Sequence, residues 1–360
     1  MSFKLTCLAL SKLNLNLINS FKPMKLNKSL AALIATSLSL TSFSAFADDS
    51  YNSRPDAHAP IGIMRDHVHK EGEYMLSYRY DYMNMKGNRN GTNNLSTADV
   101  LSDYMMSPSK MSMKMHMVGA MYGVNDKLTL MAMGNFMTNS MKMIDGMNND
   151  QTTSQNISGF GDTTINTMYG FFKDSNSHAQ FNLGVSLPTG SIKKNDQGSR
   201  LPYAMQLGSG SYELLPGLSY TGFQDSYSYG AQTNGQFRLN YNNSGYKLGD
   251  SYNATLWTAK KLNEVFSVSS RLNYTITQKT KGYSEALNTM DALMMSPTNN
   301  AMYSGGRRLD FLLGVNFIVP SGALKGNRLA LEGGVPLYQK LNGTQMSNNY
   351  NITFGWQKSF

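Results

Sequence analysis

The sequence predicts an all-β fold, a transmembrane antiparallel up-and-down β-barrel of about 12 strands. Three observations predict it. Only 15% of the 360 residues are charged, against about 25% in soluble domains. Past residue 47 no apolar run approaches the ~20 residues of a membrane helix, yet 21 Tyr, 16 Phe and 26 Met supply abundant large apolar groups. The remainder of the chain falls into short stretches of alternating polarity, the period of strands with two different faces.

At the front, Met24-Lys25-Leu26-Asn27-Lys28 precedes an apolar stretch from Ser29 to Phe43 and then Ala45-Phe46-Ala47. These are the basic region, apolar region and small-x-small cleavage site of a secretory signal peptide. Residues 1–47 are therefore expected to be removed before Asp48, with translation starting at Met24. Without the five lysines of that segment the formal charge falls from +9 to +4, which gives no case for nucleic-acid binding. The lone Cys7 is lost with it, leaving a thiol-free chain suited to an oxidising compartment. Residues 48–71 hold Pro55, Pro60 and several charges and do not alternate. They are expected on the periplasmic side, as a plug or tether, with the barrel occupying 72–360.

Strands are predicted near 72–86, 110–124, 127–143, 159–172, 178–188, 211–223, 226–239, 251–262, 265–278, 307–319, 327–338 and 349–360. Their links alternate in length. Asn125-Asp126, Gln224-Asp225 and Asn263-Glu264 are short; 87–109, 144–158, 189–210, 240–250, 279–306 and 339–348 are longer. Short periplasmic turns opposite long outer loops are the outer-membrane arrangement. The last strand has the clearest faces: Tyr350, Ile352, Phe354, Trp356 and Phe360 share one, and Asn351, Thr353, Gly355, Gln357 and Ser359 the other. An aromatic C-terminus resembles the signal read by the barrel-assembly machinery, so Phe354, Trp356 and Phe360 are the expected assembly determinants.

Alternation also places the methionines. If Tyr74, Leu76, Tyr78, Tyr80 and Tyr82 face lipid, Met75, Met83 and Met85 point inward. By the same rule the second strand turns Met111, Met113, Met115, Met117 and Met121 inward, and the third Met131, Met133, Met137, Met141 and Met143. Barrel lumens are normally polar. This stripe reads as flexible filler, as a soft lining for apolar solutes, or as a thioether ladder for Cu(I) or Ag(I) carried as substrate.

His67-Val68-His69, with Met64, Asp66 and His58 nearby, is a candidate metal site, because imidazoles two apart on an extended chain point the same way. Outward Lys110, Lys114 and Lys142 lie near the outer ends of their strands, where lipopolysaccharide phosphates would meet them. No resident cofactor is expected. His116 lacks a facing nucleophile, so no catalytic residue is assigned and the protein is not expected to be an enzyme.

Several stretches carry a resemblance: Asp66 to Met75, Gly159-Phe160-Gly161-Asp162, Gly184 to Gly190, Gln206 to Tyr212, Leu215 to Leu218, and Gly305 to Asp310. Over most of residues 60–360 the chain resembles the Gram-negative outer-membrane transporter family of the phenol-degradation MetA-pathway type. The resemblance implies passage of small molecules across the outer membrane and names no substrate or catalytic residue. Three readings follow: a channel for small hydrophobic or aromatic solutes, a soft-metal (copper or silver) binding or export barrel, or a structural barrel without transport.

Overall fold

The computed structural model describes residues 54–148, 150–196 and 198–360. The expected signal peptide, its cleavage site before Asp48, and Cys7 lie outside the described residues.

Eleven strands form one closed ring: β1 (Tyr74–Gly91), β2 (Met106–Asn125), β3 (Leu128–Asp145), β4 (Thr163–Lys173), β5 (Ser177–Leu187), β6 (Glu213–Phe223), β7 (Tyr227–Arg238), β8 (Ser251–Lys261), β9 (Phe266–Thr277), β10 (Gly306–Ile318) and β11 (Arg328–Ser359). Each pairs antiparallel with its sequence neighbour, and β1 pairs with β11 to close the ring. The 32-residue β11 crosses twice. Its first arm runs along β10 from Ile318↔Arg328 to Gly306↔Leu341, and its second along β1 from Gly91↔Leu341 to Met75↔Ser359. The arms touch each other where Gln339 Nε2 donates to the Asn348 carbonyl at 2.9 Å and Trp356 Nε1 donates to Asn327 Oδ1 at 2.8 Å. They reverse at Asn342-Gly343, where Gly343 holds a φ of +77° that a side chain would strain. Twelve crossings thus come from eleven continuous strands.

Two links differ most from expectation, and in 87–109 β1 also runs on to Gly91 and β2 begins at Met106. Residues 339–348 are not a loop but the ladder-paired top of the β11 hairpin. In 144–158, only the first residues turn; Gln151–Phe160 is a strand that pairs with the upper half of β3, from Asp145↔Gln151 to Phe136↔Phe160. β4 takes over on the lower half, from Met133↔Thr164 to Leu128↔Tyr169. The wall therefore steps at Gly161-Asp162. Polarity alone missed both extensions, because strand above the lipid zone has no apolar face to show.

Among the described residues no helix is long and apolar enough to cross a membrane; the crossing elements are strands. Their faces follow the pleat. Tyr74, Leu76, Val118, Tyr122 and Leu130 are exposed outward, while Ser77, Arg79, Met117, Met121 and Met131 are buried inward. Aromatic pairs such as Tyr74–Tyr122 (4.7 Å between centroids) and Phe266–Phe317 (5.1 Å) stand at the short-turn end, as in an interfacial girdle.

The chain's end closes the seam: Phe360 N donates to the Tyr74 carbonyl at 2.7 Å and Tyr74 N to the Phe360 carbonyl at 3.2 Å. Deleting Phe360 removes both bonds and one outward aromatic group. We predict a sharp fall in heat-modifiable, membrane-inserted barrel on gel electrophoresis of outer-membrane fractions; undiminished folded protein would contradict the role of this terminus.

Candidate functional site

Residues 54–72 run inside the ring at its short-turn end, and the wall grips their main chain. The Arg65 carbonyl accepts from Gln180 Nε2 at 2.6 Å and Asn182 Nδ2 at 3.1 Å, and the Met64 carbonyl accepts from Gln232 Nε2 at 2.9 Å. Arg79 donates to the Ile63 carbonyl at 2.9 Å. Glu332 accepts from Gly62 N at 2.9 Å while holding Arg271 by two bonds of 2.8 and 2.9 Å. Nearer the rim, His69 N donates to Thr129 Oγ1 at 2.7 Å and Ser267 Oγ to the Pro55 carbonyl at 3.1 Å. A Cβ at Gly355 would overlap Ile61, so the wall is cut to receive the plug. Arg65 itself sits at a φ of +61°, an uncommon conformation for a residue with a side chain. Its guanidinium donates to Asn166 at 2.9 Å and Asn234 at 3.2 Å, and burial lowers its pKa to about 10.

The polar lower lumen follows from this fit. Buried main-chain carbonyls and N–H groups of an irregular segment need partners, and inward Asn, Gln, Arg and Glu supply them. Beside the plug remains a cavity of about 300 Å³, bordered by Arg65, Asp81, Asn253 and Arg271.

Above the plug the lumen changes character. A larger chamber of about 560 Å³ is lined on one side by Met85, Met111, Met115, Met137, Met141 and Met346, and elsewhere by polar groups that include Asp162, Glu213, Gln236 and Arg238. That volume falls within the ~300–1,000 Å³ of small-molecule sites.

All thirteen methionines singled out in the sequence point inward, eleven of them in three groups. Met75, Met121 and Met131 pack with Met168 and Val68 against the plug, with Met133 at their edge. Met111, Met141 and Met143 pack with Leu201 and Met205 of the 188–212 link, with Met85 and Met113 alongside. Met115 and Met137 face each other across β2 and β3 and line the open chamber. Met117 is buried opposite Asn135, and Met83 borders the lower cavity. Met168, Met205 and Met346 were not singled out. Met168 is a lone methionine in a mixed strand, and Met205 lies in a link with no periodicity to read.

The 188–212 link is folded inward and pinned at the step in the wall. Asp162 accepts from Gly190 N at 2.9 Å, Ser209 N at 2.8 Å and Ser209 Oγ at 2.9 Å. Gly190 and Gly208 meet so closely that a Cβ on either would lie under 3 Å from the other's backbone. Three of the stretches that carry the family resemblance thus converge on one carboxylate.

The histidines gather at the base of the plug. The His58 and His67 rings are 4.1 Å apart, and those of His67 and His69 4.8 Å. Asp66 lies 2.9 Å from His67 Nδ1 and 4.0 Å from His58 Nδ1. Burial, then the nearby Arg328 and His67 charges, push the His58 pKa well down. Burial alone would raise Asp66; His67, His58 and the Ala59 N–H instead hold its carboxyl far below the usual range. Met64 is not in this group; it borders the lower cavity. Glu73 fixes His69 Nδ1 at 3.2 Å. Nitrogens of His58, His67, His69 and His178 stay buried without a partner, and each such orphan costs ~1–3 kcal/mol.

Residues 119–317 match the model of a protein family described as "Putative MetA-pathway of phenol degradation". No curated protein matches the sequence. Among solved structures, the chain is similar to an outer membrane channel from Pseudomonas putida F1, with a TM-score of 0.57 and 14% identity over 81% of this chain and 97% of that one. A looser likeness is to the toluene transporter TodX of P. putida, at 0.39 and 11% over 81% and 91%. Another is to the KdgM porin, at 0.39 and 10% over 79% and 99%.

Removing residues 54–71 leaves the ring's own ladder untouched. Its expected effect is a several-fold rise in single-channel conductance in planar bilayers, with heat-modifiable mobility retained. Unchanged conductance would show that the plug is not the main obstruction.

Proposed function

The chain belongs to the family described as "Putative MetA-pathway of phenol degradation", and on that premise we propose that it is an outer-membrane channel passing small apolar or aromatic solutes. The observation that carries the reading is the methionine-lined chamber. The chamber wall is mixed: Asp162, Glu213, Arg238 and several amides and hydroxyls line part of it, and six methionines with Leu207 and Leu215 give it an apolar side. Thioethers give a polarizable, adaptable lining that favours aromatic rings by ~0.3–1.5 kcal/mol per contact. The pinned 188–212 link forms part of the chamber wall through Tyr203, Gln206, Leu207 and Ser209.

The exterior supports a place in the outer membrane. An outward apolar band and an aromatic girdle suit a lipid zone. Near the long-loop end Lys86, Lys110 and Lys142 stand side by side on three strands, all exposed. Like charges directly across a ladder repel, and the phosphates of lipopolysaccharide would relieve this. Changing the three to Gln should abolish lipopolysaccharide co-purification as seen by native mass spectrometry; full retention removes that partner.

The chamber is tested by substitution. Met115→Ser with Met137→Ser is expected to cut the flux of a small aromatic solute into proteoliposomes about fivefold, the effect of roughly 1 kcal/mol lost at the two side chains. Leu at the same positions should largely preserve it. If Cu(I) or Ag(I) passage falls with Leu while aromatic flux does not respond to Ser, the thioether-ladder reading replaces this one.

A further inference from the structure

We propose that His58, Asp66 and His67 form a binding site for a divalent transition cation of the zinc class, which clips together the two ends of the plug loop. The proposal rests on the plug's geometry alone and holds whatever solute the barrel passes.

The three residues each offer one ligand atom, and these atoms all lie within 4.8 Å of one another. A tetrahedral zinc with N and O ligands at ~2.0–2.2 Å requires donors about 3.4 Å apart, so small side-chain rotations complete the set. The local fold brings them there from eight residues apart. The Asp66 carboxylate accepts from Ala59 N at 2.9 Å, tying the end of the loop to its start, and Ile63 N donates to the Pro60 carbonyl at 2.8 Å to turn the chain between. His67 then follows Asp66, with its ring against that of His58.

The unpartnered nitrogens point to a ligand. His58 Nδ1 and His67 Nε2 are buried with no hydrogen-bond partner, and buried polar groups are ordinarily satisfied. A hydrophobic pair would fill this position more stably if the residues served only packing. Two imidazoles and a carboxylate suit zinc or its neighbours in the first transition row, and not Ca²⁺ or Mg²⁺, which take oxygen ligands. Three protein ligands leave a fourth position to water. Arg328 is an opposing influence: its charge acts on both His58 and Asp66, which lowers affinity below that of a site with no cation beside it.

The clip has a structural consequence. Between its jaws lie Gly62, Ile63, Met64 and Arg65, the residues whose main chain the wall grips. Cation binding fixes the loop in the form that fits the wall, and a stripped loop is free to open.

The test uses untagged full-length protein in detergent micelles, stripped with a chelator and titrated with ZnCl₂ by calorimetry. One Zn²⁺ per chain is expected. The double variant His58→Ala, His67→Ala should weaken binding by more than the roughly 10-fold that loss of an outer-shell partner costs, while remaining heat-modifiable. A folded double variant that binds as tightly as the original overturns the proposal, as does absence of stoichiometric binding. Should the variant fail to fold, Co²⁺ in the original chain decides: intense visible absorption of a four-coordinate site supports the clip, and the weak bands of a six-coordinate ion overturn it.

Discussion

The structure depends on one pairing, that of the first strand with the last. In hydrocarbon each unsatisfied backbone group costs several kcal/mol, so a sheet can cross only as a closed ring. The seam from Met75↔Ser359 upward to Gly91↔Leu341 supplies that closure. Once the ring is closed, the pleat leaves each residue one of two destinations, lipid or lumen. The inward stripe of methionine is a consequence of closure and alternation together, not of local preference.

Inside, the lumen is divided by what each level must satisfy. The plug brings an irregular backbone into the barrel, and the wall at that level answers with Gln180, Asn182, Gln232, Arg79 and the Arg271–Glu332 pair. Higher up the 188–212 link is the irregular segment, its Gly190 and Ser209 N–H groups answered by Asp162, and methionines share the wall with Glu213, Gln236 and Arg238. Methionine serves two ends here: Met75 and Met121, 1% and 3% exposed, are packing, whereas Met115 and Met137 border open space. The stripe thus holds both packed members and members that border open space.

The ring, its direction and the inward stripe were legible in the sequence because period-2 alternation is imposed by lipid on one side. The assignments weakened where lipid no longer acts. The top of the β11 hairpin and Gln151–Phe160 are strands without an apolar face, and neither was read as strand. The pairing of Asp162 with Gly190 and Ser209 was not legible either, since it joins residues up to 47 apart through a loop without periodicity. At the plug, the sequence grouped His58, Met64 and Asp66 with His67-Val68-His69; the structure brings His58, Asp66 and His67 together, and Met64 borders the lower cavity instead, because the turn between them is not specified by spacing.

If the methionine chamber beside the 188–212 link receives apolar aromatic solutes, the methyl groups on its wall feel the ring current of a bound solute. Methionine methyl ¹³C NMR on the barrel in lipid nanodiscs tests it directly, with a small aromatic solute titrated in. Ring-current shifts are expected at Met115, Met137 and Met346, with Met75 and Met131 beside the plug unmoved. Shifts confined to exposed methionines such as Met290 and Met302, or none at all, would contradict that expectation.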